Sequence, residues 1–145
     1  MAESDSLFLR QILPRLNPGV TVSPRDPARM AAFFASLDAS NVLEANQEGY
    51  IAERDGEPLG LMIIWLDADH FTGHARAHVE VLVVAESAEG QGVGRALLAF
   101  ADQWGRDHDC REVVLNVFST NTGAIAFYER LGFAPDHLRM SKTLA

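Results

Sequence analysis

A glycine-rich turn follows an apolar stretch near the middle of the 145-residue chain. The apolar residues are Val81–Val84, and the turn reads Gly-Gln-Gly-Val-Gly-Arg over residues 90–95, directly before a helical pattern. Glycines let a ligand approach the backbone, and the free N–H groups of a helix's first turn, aided by the helix dipole, bind phosphate oxygens. The spacing fits neither the Walker pattern nor the dinucleotide fingerprint. It favours a ligand that contains a pyrophosphate over a purely structural turn.

A second motif spans residues 116–133 and reads Asn-Val-Phe-Ser-Thr-Asn-Thr-Gly-Ala-Ile-Ala-Phe-Tyr-Glu-Arg-Leu-Gly-Phe. Together the two motifs resemble the GNAT superfamily of acetyl-CoA-dependent N-acetyltransferases, over roughly residues 49–143. The resemblance implies an α/β fold in which helices flank a central mixed, mostly antiparallel sheet that splays at the cofactor site. It also implies acetyl-CoA as the acyl donor, an amine as the acceptor, and no metal.

The resemblance assigns cofactor contacts to particular residues of this chain. Backbone groups of Leu82, Val83 and Val84 would bond the pantetheine arm, and Asn121 matches an asparagine that contacts the cofactor. The pyrophosphate would be held by Gly90, Gln91, Gly92, Val93, Gly94 and Arg95. Glu89 departs from the family, which usually has Gln or Arg there. Because phosphate binding at this turn relies mainly on backbone N–H groups, we expect a weakened affinity at most.

The implied reaction is attack of an amine on the thioester carbonyl through a tetrahedral intermediate, with coenzyme A leaving as a thiolate. It needs a base for the ammonium proton, a hydrogen-bond donor for the oxyanion and an acid for the thiolate. Tyr128 matches the family's tyrosine near the sulfur, and a phenol with a pKa of about 10 can be that acid. The alternative is a core tyrosine. A backbone N–H near Val83 is the implied oxyanion donor.

Two candidate bases, His78 and Glu80, stand two apart on one predicted strand, so their side chains share a face. His-Val-Glu at 78–80 resembles the His-Ile-Glu of glucosamine-phosphate acetyltransferases. Bacterial acetylases of ribosomal-protein N-termini instead use a glutamate where this chain has Asn116, which cannot accept a proton. We therefore predict that Glu80 takes the proton through a water and that His78 helps or relays. The alternative is that both are ordinary polar lining of the cleft.

Two aspartates and two histidines crowd a polar loop after the predicted hairpin: Asp67, Asp69, His70 and His74. They superficially suggest a metal site, but the family's chemistry needs no metal and such residues are usually solvated, so contact with the substrate is favoured. Trp65 and Phe71 flank this loop. They are candidates for the wall of the acceptor site, although Trp65 could equally belong to the core.

Hydrophobic periodicity predicts the elements that position these residues, in the order helix, β-hairpin, strand, helix, strand, helix, strand. Their approximate ranges are 26–37, 50–54 with 59–66, 79–84, 93–104, 113–118, 121–132 and 138–143. An apolar stripe runs along the helix at 93–104, and Asn121 is predicted to cap the last helix. The first helix is interpreted as core. Residues 1–24 are unassigned because prolines interrupt them, although 7–13 is apolar enough for a strand or a short helix.

The net charge of −8 disfavours nucleic acid and anionic membrane surfaces as partners. Residues 49–90, with the predicted base, carry eight acidic and two basic side chains, whereas residues 91–145 carry six of each. This asymmetry favours a cationic amine as the acceptor. The lone Cys110, the absence of an 18-residue apolar run and the acidic start of the chain predict a cytoplasmic protein.

The sequence therefore predicts one N-acetyltransferase domain over residues 1–145, with Tyr128, Glu80 and His78 as its catalytic residues. The acceptor is expected to be a small-molecule amine or a peptide. Its identity, the acyl preference and a homodimer are left open. The alternatives are a non-catalytic acyl-CoA-binding or sensing domain and an acetyltransferase for protein N-termini or lysines.

Overall fold

A computed structural model of the protein describes residues 5–19 and 21–144, and within them four β-strands form one sheet. The strands are β1 (Gln47–Arg54), β2 (Glu57–Ala68), β3 (Ala75–Val84) and β4 (Glu112–Leu115). They lie in the order β1-β2-β3-β4; β2 is antiparallel to both β1 and β3, and β4 runs parallel to β3. The predicted mixed, mostly antiparallel sheet is thus confirmed.

Four α-helices occur in the same described part of the chain: α1 (Ser6–Ile12), α2 (Pro27–Ala35), α3 (Val93–Asp107) and α4 (Thr122–Arg130). The sequence allowed either a strand or a short helix at 7–13. This segment forms α1, which a 3₁₀ turn follows at Leu13–Leu16. The predicted start of α2 is confirmed, because the Asp26 side chain accepts a hydrogen bond from Ala28 N and Pro27 occupies the first position. No helix of the described residues has the length and apolar character to cross a membrane.

Helices cover the sheet on both faces, and β2 shows this most clearly. Met62 and Ile64 belong to a core that includes α3, whereas Leu61 and Ile63 belong to a core that includes α1. We call these two sides of the sheet the α3 face and the α1 face. Because both faces are buried, the strand is a continuous apolar run rather than an alternating one.

A β-bulge interrupts β3 at Glu80. Ile64 pairs with Val79 and Ile63 with Val81, so Glu80 is the extra residue of the strand. The alternation of side chains changes across it: Val79 packs in the α3-face core before the bulge, and Leu82 packs there after it. The bulge therefore sets the direction of every side chain at the end of β3.

The parallel pairing between β3 and β4 stops early. It ends at Val79 opposite Leu115, while β3 continues to Val84. Ala85 N donates to Leu59 O at 2.8 Å, so the alternation of the antiparallel ladder turns the backbone groups of Leu82 and Val84 away from β2. The two strands are splayed here, and the predicted strand at 113–118 extends three residues beyond the end of the observed one.

The predicted last strand near 138–143 is wrong. Those residues form neither helix nor strand, and the side chains of Leu138 and Met140 are 78% and 84% exposed. An apolar alternation becomes a strand only where it packs and pairs with a neighbour. Within residues 5–19 and 21–144 this segment has neither, and the hydrogen bond from Ser23 Oγ to Ser141 Oγ, at 2.7 Å, joins two side chains.

Candidate active site

The two predicted bases meet on the α1 face, beside the bulge. Trp65 on β2 is paired with His78 on β3, and their rings stack with centroids 4.9 Å apart. Trp65 Nε1 donates to Glu80 Oε2 at 3.1 Å, and His78 Nε2 lies 3.4 Å from the same oxygen. The structure thus brings His78 and Glu80 together as the spacing predicted, and it places Trp65 against both.

An ion pair supports the other side of the His78 ring. Arg76 Nε donates to Asp67 Oδ2 at 2.7 Å, and His78 Nδ1 lies 3.7 Å from that oxygen. Burial by itself would raise the pKa of Asp67, but the hydrogen bond and charge of Arg76 outweigh it and hold the pKa below its ordinary value. Asp67 is therefore ionised, and it lies beside the histidine.

His78 lies between two carboxylates, Asp67 on the Nδ1 side and Glu80 on the Nε2 side. Its side chain is only 14% exposed, and Nδ1 is buried without a hydrogen-bond partner among the described residues. A ring in this position can carry a proton between its two neighbours. This geometry suits the predicted relay.

The rest of the polar loop behaves differently. Asp69 Oδ2 accepts hydrogen bonds from Thr72 N and Oγ1, at 2.9 and 2.7 Å, and Asp69 Oδ1 lies 3.6 Å from Arg76 Nη1. His70 and His74 are exposed, and the Phe71 side chain is 98% exposed. Among residues 5–19 and 21–144, no group of three or more His, Cys, Asp and Glu side chains is arranged to hold a metal ion.

The glycine turn lies at the start of α3, where two of its glycines have left-handed backbone angles. Gly90 has a φ of 73° and Gly92, the residue that precedes the helix, a φ of 82°; a Cβ at either would point into open space. Ala96 N donates to Gly92 O at 3.0 Å, so the N–H groups of residues 93–95 precede the first intrahelical bonds. This open cradle of N–H groups fits the pyrophosphate that the sequence predicted.

Gly94 and Gln91 have packing roles in the same turn. A Cβ on Gly94 would lie 3.3 Å from the Phe127 ring, so the glycine lets α3 approach α4 closely. The Gln91 side chain accepts from Arg54 Nη1 at 2.8 Å and donates to Ser87 O at 3.0 Å. Arg95 is exposed on the first turn of α3.

Arg15 anchors the same region and was missed from the sequence. It pairs closely with Glu89, and its Nε donates to Val84 O at 2.9 Å. The departure from the family pattern at Glu89 therefore has a partner within the chain. Arg15 lies in a segment that carried no readable pattern, so no spacing signal could have revealed it.

Tyr128 and Asn121 both belong to α4. Tyr128 packs against the α3-face core, with its ring centroid 5.7 Å from that of Phe133. Burial raises the pKa of the Tyr128 phenol, so its hydroxyl stays protonated at neutral pH. Asn121 caps the helix, as predicted, because its Oδ1 accepts from Ala124 N at 3.2 Å.

An open groove lies between α2 and the segment that follows β4. Its lining is mostly apolar: Pro18, Met30, Phe33, Phe34 and Phe118, with Arg25, Asp26 and Arg29. The prediction that α2 contributes to the core is wrong, since none of its residues is buried and Phe33 is 58% exposed. Its apolar spacing forms a wall of the groove instead.

The open edge of β3, the glycine turn and the tyrosine-bearing helix are features that the sequence resemblance predicted. A model of the acetyltransferase (GNAT) family matches residues 9–133. The chain belongs to this family and is an acyltransferase enzyme. The family uses acetyl-CoA as its acyl donor.

Curated relatives carry N-acetyltransferase names. The chain is 28% identical to the aminoalkylphosphonate N-acetyltransferase of Salmonella typhimurium, over 73% of this chain and 69% of that protein. It is 33% identical to an aminoglycoside N(6')-acetyltransferase type 1 of Stenotrophomonas maltophilia, over 77% of this chain and 82% of that protein. A mycothiol acetyltransferase of Streptomyces avermitilis is 29% identical, but this chain spans only 45% of its length.

The fold agrees with a solved acetyltransferase structure from Trypanosoma brucei. The TM-score is 0.66, with 24% sequence identity, over 99% of this chain and 96% of the other. At this identity the likeness concerns the fold alone.

Proposed function

We propose that the protein transfers an acetyl group from acetyl-CoA to a cationic primary amine by direct attack through a tetrahedral intermediate. One observation carries this proposal: Glu80 sits in the bulge of β3, two residues before the backbone groups that β4 leaves open at Leu82. A candidate base and a candidate oxyanion donor are therefore neighbours on one strand. Bulges often re-aim a side chain beside an active site in this way.

For the donor, the strand edge and the glycine turn would act together. The N–H groups of Leu82 and Val84 face the splay, whereas Val83 pairs with Leu61 and its backbone groups point towards β2. The expectation that Val83 itself contacts the cofactor is therefore corrected, and its two neighbours take that place. Leu82 and Val84 would therefore bond the pantetheine arm or the oxyanion. Residues 90–95 would hold the pyrophosphate, and the Asn121 side-chain amide would contact the cofactor beside α4.

In the proposed proton transfers, the base and the acid would lie on opposite faces of the sheet. Glu80 would take a proton from the ammonium group through a water, and His78 would relay it towards Asp67 or solvent. Tyr128, protonated because it is buried, would donate its hydroxyl proton to the departing thiolate. The base would thus act on the α1 face and the acid on the α3 face.

The charge around the proposed base supports a cationic acceptor. The cluster around His78 contains three carboxylates, of Asp67, Asp69 and Glu80, and one guanidinium, that of Arg76, which pairs with the two aspartates. The surplus negative charge favours an ammonium group over an anionic one. The apolar groove beside α2 would take an uncharged part of the acceptor.

The test is a thiol-release assay with acetyl-CoA and matched amines at low and high ionic strength. Polyamines and aminoglycosides represent cationic acceptors, benzylamine a singly charged one, and 6-aminohexanoate a zwitterionic one. We expect the highest kcat/KM for the cationic acceptors and a several-fold loss at high ionic strength, because salt screens exposed charges. A preference for the zwitterion would contradict the cationic acceptor, and binding of acetyl-CoA without transfer to any amine would contradict the enzyme activity.

A further inference from the structure

We infer that Trp65 is a positioning residue for Glu80, an inference that rests on the proposed function. Its indole N–H would hold one carboxylate oxygen so that the other faces the acceptor. Trp65 Nε1 donates to Oε2 at 3.1 Å, and His78 Nε2 lies 3.4 Å from the same oxygen. Both contacts converge on Oε2, so Oε1 is the oxygen left for proton transfer.

Glu80 needs such a contact because it is poorly restrained by burial. Its side chain is 46% exposed, and a glutamate at a surface samples many rotamers. A hydrogen bond to Oε2 restricts the rotamers that this carboxylate can adopt. The reaction step is then simple: an N–H bond of the ammonium breaks, the amine nitrogen keeps the electron pair, and a proton joins Oε1 directly or through one water.

Trp65 is itself held in place. It lies opposite His78 in the β2–β3 ladder, and the two rings stack with an interplanar angle of 19°. His78 in turn lies beside the Arg76–Asp67 ion pair, whose side chains are 17% and 16% exposed. A continuous set of contacts therefore runs from a mostly buried ion pair to the proposed base.

A second tryptophan provides an internal control with nearly the same local chemistry. Trp104 on α3 stacks on His108 at 3.8 Å, and its Nε1 donates to Glu48 Oε2 at 3.3 Å. This arrangement joins α3 to β1, away from the open end of β3, and Glu48 also accepts from Tyr50. The same three residue types thus occur twice, once beside the proposed site and once away from it.

The first experiment needs no activity. The sequence has two tryptophans, so a ¹⁵N-tryptophan-labelled protein has two indole N–H signals, which Trp65→Phe and Trp104→Phe assign. In Glu80→Gln we expect the Trp65 signal to move and its exchange with solvent to quicken by about tenfold, while the Trp104 signal stays in place. A Trp65 signal that Glu80→Gln leaves unchanged would overturn the inference.

The second experiment is a double-mutant cycle on turnover with the best acceptor. Trp65→Phe keeps an aromatic ring on His78 but removes the donor, so we expect kcat to fall about tenfold with an unchanged KM for acetyl-CoA. In the Glu80→Gln background the same change should have no further effect, because Trp65 acts through that carboxylate. Trp104→Phe should leave kcat unchanged.

Two other results are informative. An equal loss from Trp65→Phe in both backgrounds would show that the ring only shapes the cleft, and it would overturn the inference while leaving the proposed function intact. Full activity of Glu80→Gln would overturn the proposed base and the role of Trp65 together.

Discussion

The two sides of β3 build their parts of the proposed site from different materials. The cofactor side uses backbone: the open amides of Leu82 and Val84, and the N–H groups of the glycine turn at 90–95. The acceptor side uses side chains, with Trp65, His78 and Glu80 in mutual contact. A site built from backbone groups requires residues whose side chains leave room for the ligand. A site built from side chains requires a strand register that brings those side chains together. This difference decides how each side should respond to mutation.

The largest effect outside the Trp65–Glu80 pair is expected at Tyr128, the proposed catalytic side chain of the cofactor side. Tyr128→Phe should lower kcat by about 10- to 100-fold with little change in the KM for acetyl-CoA, because it removes a proton donor and keeps the ring. Tyr50→Phe is the matched control, since Tyr50 bonds Glu48 instead. Steady-state kinetics of both variants measure kcat and the KM for acetyl-CoA. An unchanged kcat in Tyr128→Phe would mean that Tyr128 is not the acid of the reaction.

A smaller effect is expected when one glycine on each side of the site is replaced by alanine, and it should differ between the two sides. Gly92 in the cofactor turn and Gly73 in the polar loop have φ values of 82° and 73°, and both face open space. An alanine at either should lower the free energy of unfolding by about 1 kcal/mol, because a left-handed backbone strains a Cβ.

Only Gly92→Ala should also raise the KM for acetyl-CoA, by about fivefold, since its Cβ would point into the proposed cradle. Urea unfolding and initial rates measure the two quantities. Equal values of this KM in the two variants would argue against pyrophosphate binding at the turn.

The last effect concerns stability alone and is a pH dependence on the acceptor side. The pKa of Asp67 is lowered in the folded protein, so its ion pair with Arg76 stabilises the fold at neutral pH and loses this contribution as the pH falls through that pKa. Asp67→Asn should cost about 1–2 kcal/mol of unfolding free energy at pH 7.

The difference from the wild type should shrink below the ordinary aspartate pKa of about 3.9. Urea titrations at neutral and acidic pH measure it, with the exposed Asp136→Asn as a control that leaves stability unchanged. A difference that stays constant with pH would mean that the Asp67 charge contributes nothing.

Local patterns predicted most of the fold. The caps of α2 and α4 and the apolar stripe of α3 are each contained in a few neighbouring residues, and the structure has all three. The predicted final strand does not form because its apolar alternation has no partner among the described residues. The prediction of α2 as core was wrong because periodicity alone does not say whether a face is covered.

The candidate site was likewise only partly predictable from local sequence patterns. The spacing of His78 and Glu80 predicted their shared face. It did not predict the ion pair of Asp67 with Arg76, although these two residues are directly paired between β2 and β3. The register of β2 against β3 could have revealed this ion pair, since opposite charges at paired positions attract. Nothing comparable pointed to Arg15, whose partners lie about 70 residues away.

By itself the sequence determined the glycine turn, the cap at Asn121 and the two base candidates, because each depends on residues that are close along the chain. Only the tertiary structure decided that the bulge at Glu80 turns the end of β3, that Trp65 holds the Glu80 carboxylate and that Arg15 anchors the strand edge. The physical reason is that these contacts depend on strand register and packing, which join residues that local periodicity cannot relate.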